Sequence, residues 1–113
     1  MAQEYFDKII ELISPIIEGK HSSVNFVFKH FFSGAALYAN DKICMTLSPA
    51  GFAVKLPGEQ RESLIKDQGA IKLRYFPKAP IKKDYVILPD NITNDQAALS
   101  KIVDVCIIFV TKG

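Results

Sequence analysis

Residues 24 to 56 hold four short apolar stretches joined by connections too short to cross over a sheet. Val24, Phe26, Phe28, His30 and Phe32 alternate with Ser23, Asn25, Val27, Lys29 and Phe31, the period of a half-buried strand. Ser33-Gly34 ends that run, and Ala35 to Ala39 and Ile43 to Leu47 follow, separated by Asn40-Asp41. Asn and Asp tolerate the positive φ that a two-residue hairpin turn demands. Ser48-Pro49-Ala50-Gly51 is a second turn, leading into Phe52 to Leu56. Parallel neighbours need connections of a dozen residues or more, so this spacing predicts an antiparallel meander.

The flanks read as helices. Phe6, Ile9, Ile10, Ile13 and Ile17 share one face of a helix over 3–17, with Gly19 as its cap. Pro15 lacks an amide donor and disfavours helix at Ser14, which predicts a kink or a break there. After Pro57-Gly58, residues 59–68 read as a short helix with Leu64 and Ile65 turned inward and Gly69 as its cap. Ile71 to Tyr75 predicts a strand with Ile71, Leu73 and Tyr75 on one side and Lys72 and Arg74 on the other. Pro77 and Pro80 enforce a loop, and Tyr85 to Leu88 is a last strand stopped by Pro89.

Asn94 or Asp95 caps a final helix whose face is Leu99, Ile102, Val103, Cys106, Ile107 and Val110. The β-branched run from Ile102 to Val110 also suits a strand, but the length from Asp95 and the helical period favour helix. The expected architecture is a two-layer α+β domain. It has an antiparallel sheet of five or six strands and N-terminal, middle and C-terminal helices, chiefly on one face. With 113 residues the chain has the size of one domain, expected to span 1–113.

A composition of 49% hydrophobic and 23% charged residues excludes a disordered tail. The N-terminus has no basic region ahead of its apolar stretch, and no run approaches the roughly 20 residues that span a bilayer. The two cysteines, Cys44 and Cys106, form no CxxC pair and no zinc-type spacing. They are expected to be reduced core thiols of a cytoplasmic protein, with a disulfide or a redox role as the alternative.

No catalytic constellation is complete, which points to a non-enzymatic chain without cofactor or metal. His21 lies in a polar turn and His30 on the apolar phase of its strand, where an isolated histidine is a boundary residue more often than a general base. Glu59 and Glu62 share an exposed helix face. No nucleophile-elbow, zincin, phosphate-loop or dinucleotide-loop pattern occurs.

Charge is more informative. The net charge is only +2, yet residues 55–83 carry eight bases against three acids, and residues 71–83 contain Lys72, Arg74, Lys78, Lys82 and Lys83 with no acid. Lys72 and Arg74 on one sheet face, with Phe76 next in alternation, would suit phosphates and a stacked base. The same lysines equally suit a solvated outer face that discourages strand addition. The last helix also carries Val105, Ile108 and Phe109 outside its main stripe. It is either buried on two sides or a subunit contact in a homodimer.

From His30 onward the chain resembles the N-terminal domain of the TfoX/Sxy family. The resemblance rests on Phe31-Phe32-Ser33-Gly34, Ala36-Leu37-Tyr38, Asn40-Asp41-Lys42 and Phe52-Ala53-Val54-Lys55-Leu56-Pro57. Leu64 to Gly69, Leu73 to Pro77, Tyr85-Val86-Ile87-Leu88-Pro89 and Leu99 to Ile107 follow in the family's order. Phe31 stands for the family's methionine, Ser33 for its first glycine and Ala36 for a later one, which narrows the backbone options of that turn. The resemblance implies the fold and a binding or regulatory role like that of bacterial competence regulators, exerted through a protein partner or weak, non-specific nucleic-acid contact and not at a membrane. Members with an assigned role carry a second, helical domain, and this chain is expected to hold the N-terminal one alone. DNA binding does not carry over residue by residue. A small-molecule-binding or cryptic enzymatic domain is the alternative function.

Overall fold

The computed structural model describes residues 2–31, 33–74 and 77–112. The expected strand positions Phe32 and Tyr75, and Phe76 beyond them, lie outside the described residues. The elements are α1 (Ala2–Ile17), β1 (Phe26–Phe31), β2 (Gly34–Ala39), β3 (Lys42–Ser48), β4 (Gly51–Lys55), α2 (Gly58–Gln68), β5 (Ile71–Leu73), β6 (Lys82–Ile87), α3 (Asp90–Thr93) and α4 (Gln96–Thr111). The six strands form one antiparallel sheet in the order β1-β2-β3-β4-β6-β5. The meander thus runs through β4, and β6 then returns between β4 and β5.

Local chemistry explains the joints. Asn40 and Asp41 both take positive φ, 50° and 66°, as the tight hairpin turn requires. The Asn40 side chain accepts from the Asn25 amide at 2.9 Å, tying the turn to the start of β1. At the preceding turn, where β2 begins, Gly34 has no room for a side chain, because a Cβ would sit 2.1 Å from the Leu47 carbonyl oxygen. Gly69 closes α2 with φ 82°. Asp95 caps α4 by accepting from the Ala97 and Ala98 amides, so the β-branched run from Ile102 is helix and not strand.

One lateral row of the sheet, Phe28-Leu37-Met45-Val54-Val86, faces the helices. The row beside it, Lys29-Ala36-Thr46-Ala53-Ile87-Ile71, faces away. α1 packs on β1 to β3 and α4 on β2 to β4. Ile9, Ile13, Leu37, Met45, Val54, Leu99, Val103 and Ile107 are buried together in that layer. α2 lies beside α4, with Leu56, Leu64, Ile102 and Val105 around one small cavity between them.

Three expectations change. α1 does not break at Pro15; it runs to Ile17, and the Glu18 amide bonds the Ser14 carbonyl at 3.0 Å. Pro15 withholds one amide donor from the helix at the level of Glu11, which lies on its exposed side. β5 ends at Leu73, leaving Arg74 outside the strand, while β6 begins three residues earlier than the apolar pattern at Tyr85. The faces of β5 also differ from simple alternation. Ile71 faces outward and is 59% exposed, whereas Lys72 continues the helix-side row by pairing with Val86. Pairing then jumps to Leu73 with Lys82, and Leu73 is fully buried, outside the core cluster that lies under the helices.

Candidate functional site

Between Lys72–Val86 and Leu73–Lys82 the register of β5 against β6 jumps past three residues of β6. Irregular pairing of this kind opens a sheet and re-aims side chains. A groove of about 260 Å³ lies there, between the end of the sheet and α2. The strands contribute Lys72, Lys82, Lys83 and Tyr85, and α2 contributes Arg61, Glu62 and Ile65. Four cations therefore surround one groove that holds a single carboxylate in its lining.

The cations are not equivalent. Arg61 is committed to the fold: its guanidinium donates to the Leu56 carbonyl and stands 3.7 Å from the Asp84 carboxylate. Lys72, Lys82 and Lys83 are exposed and reach the groove on flexible stems. Tyr85 offers a half-buried ring, and Lys55 stands 5.5 Å from the ring centroid. The arrangement can hold a multivalent anion by charge and cover it with an aromatic edge.

Of the five bases singled out in the sequence, three meet here. Arg74 does not. Its guanidinium turns onto the carbonyls of Pro77 and Ala79, at 3.4 and 3.3 Å, and holds the 77–81 loop. Lys78 is exposed on that same loop. The face expected to combine Lys72 with Arg74 is therefore not formed, since β5 stops between them. Sequence reasoning passed over Ile65 and Tyr85 as groove residues, counted Arg61 only in the regional charge, and singled out Glu62 only for sharing an exposed helix face with Glu59. The i, i+4 spacing of Arg61 and Ile65 on α2 is the signal that could have found two of them.

The other expected positions are also placed. Ile108 is 59% exposed, while Val105 and Phe109 are half-buried and pack against the core, so the apolar surface of α4 is narrower than the three-residue patch expected. His30 lies on the helix side at the β1 edge and stacks on Phe6 of α1, ring centroids 4.5 Å apart. His21 is bonded to Asp104 of α4 at 3.0 Å, and Lys20 reaches the same carboxylate and Ser100. Among the described residues no three His, Cys, Asp or Glu side chains gather as a metal site would require. The apolar cavity between α2 and α4 measures about 170 Å³. No helix among the described residues is long and apolar enough to cross a membrane.

Comparison with curated proteins and with solved structures returns no significant match. The family model of the TfoX N-terminal domain matches residues 22–109, from the turn before β1 almost to the end of α4. Together with the six-stranded antiparallel sheet and its N-terminal, middle and C-terminal helices, that match shows that the chain belongs to the TfoX N-terminal domain family.

Proposed function

We propose that this chain is a non-enzymatic binding domain of the competence-regulator type, working in the cytoplasm as one folding unit. Its partner is an anionic polymer, most simply the phosphate backbone of a nucleic acid, held in the groove between α2 and the β5–β6 edge. One observation carries this reading: Lys72, Lys82 and Lys83 converge with Arg61 on a single groove, although they come from three different elements. Phosphate contacts of this kind give affinity without sequence readout, and a local patch on a nearly neutral chain supports a Kd on the order of 10⁻⁴–10⁻⁶ M.

Fluorescence anisotropy of a labelled oligonucleotide at low salt tests the proposal. Wild-type protein should bind, and Lys82→Glu combined with Lys83→Glu should abolish binding while the far-UV spectrum stays unchanged. Absence of binding by wild type removes nucleic acid as the partner and leaves an acidic protein surface as the occupant to test.

A further inference from the structure

The β3 irregularity has no part in the groove, yet it places a reactive pair. Leu37 pairs with Met45 and Tyr38 with Ile43, so Cys44 is the extra residue of a bulge. Its side chain is thereby brought to the buried side beside that of Met45. Cys106 of α4 lies directly over it and is also fully buried. The Cys106 thiol donates to the Cys44 carbonyl oxygen at 3.2 Å, across 62 residues of chain, and the Cys44 thiol donates to the Lys42 carbonyl at 3.7 Å. Both thiols are free.

We propose that Cys44 and Cys106 form a modification site, a dithiol that hydrogen peroxide converts into a disulfide joining β3 to α4. An ordinary core pair would have two inert, apolar-packed sulfurs. These differ in environment. The neighbouring Cys106 side chain lowers the Cys44 thiol below its usual range, helped by the Lys55 charge and the Ala39 backbone, against the opposing effect of burial. The Cys44 side chain, together with burial, raises the Cys106 thiol. A thiolate is the attacking species, so the roles divide: Cys44 reacts first and Cys106 resolves.

The step balances. The Cys44 thiolate attacks one peroxide oxygen, the O–O bond breaks, and hydroxide leaves to take up the proton Cys44 released, becoming water. Cys44 is then a sulfenic acid. The Cys106 sulfur attacks the Cys44 sulfur, the S–S bond forms and the S–O bond breaks. The departing hydroxide takes the Cys106 proton as a second water. Two electrons pass from the sulfurs to one peroxide.

The experiment is peroxide treatment of the intact protein, followed by unfolding, thiol titration and mass spectrometry without reductant. Wild type should lose both titratable thiols, remain monomeric in covalent mass, and yield a cross-linked peptide pair containing Cys44 and Cys106. Its Tm should rise on oxidation and return with dithiothreitol, because the bridge restrains the unfolded chain. Cys106→Ala should stop at a sulfenic acid on Cys44, trapped by dimedone, whereas Cys44→Ala should leave Cys106 unreacted. The proposal is overturned if wild type keeps both thiols under peroxide that oxidises glutathione, or if the only disulfides join separate chains. It is equally overturned if dimedone labels Cys106 in place of Cys44 during oxidation of wild type, a measurement that needs no variant to fold.

Discussion

The imidazole of His21 and the carboxylate of Asp104 meet at 3.0 Å although 83 residues separate them. His21 sits at φ 51° in the connection after α1, and Lys20 beside it reaches the same carboxylate at 3.5 Å. The contact fastens the α1–β1 connection to the middle of α4. Asp104→Ala should cost about 0.5–1.5 kcal/mol, the range for a partly exposed, charge-assisted bond. Urea unfolding of the single and double variants with His21→Ala measures the coupling. Fully additive losses would show that the two side chains do not support one another.

The hairpin at Gly34 is a steric requirement. A Cβ there would overlap the Leu47 carbonyl oxygen and the Ser48 backbone, atoms held by the β2–β3 pairing. Gly34→Ala should destabilise the chain by about 1–3 kcal/mol or more, as overpacking against rigid neighbours does. Thermal unfolding followed by circular dichroism reads this directly, and a variant as stable as wild type would mean that the turn relaxes freely.

Leu99 is 2% exposed and belongs to the main core cluster. Leu99→Ala should cost about 2–5 kcal/mol. Asp95→Ala at the start of the same helix should cost about 0.5–2 kcal/mol, since two amides lose their acceptor. Denaturant titration should therefore rank the core variant as the more damaging, and the reverse order would misplace α4 relative to the sheet.

If the groove binds phosphates through Lys72, Lys82 and Lys83, the logarithm of affinity should fall with the logarithm of salt at a slope of about −2 to −3. Lys72→Gln should make that slope shallower by about one contact. Arg74→Gln should leave it unchanged, because that guanidinium is occupied by the loop carbonyls. Equal effects of the two substitutions would place the ligand at Arg74 and the 77–81 loop.

Wherever the structural signal was local, the chain could be read. Asn40-Asp41 specified its turn because both residues tolerate positive φ, Asp95 specified the start of α4, and the 3.6-residue period of Leu99 to Val110 outweighed β-branching. The groove was harder to read. Alternation assigned Ile71 to the inside and Lys72 to the outside, and the structure reverses both because β5 takes its faces from its pairing with β6. Ile71 is paired with Ile87 on the outward row, and Lys72 with Val86 on the inward one.

Sequence alone determined the antiparallel meander, the helix faces, the regional concentration of positive charge and the family pattern from Phe31 to Ile107. These depend on periods, turn residues and composition within about ten residues of each position. Only the tertiary structure decided which bases share a groove, that Arg74 serves its own loop, and that Cys44 and Cys106 touch. Those outcomes depend on two register irregularities, at Leu37/Tyr38 against β3 and at Lys72/Leu73 against β6. Register in a three-residue edge strand or at a bulge is set by the neighbouring strand, and a shift of one residue sends a side chain to the opposite face.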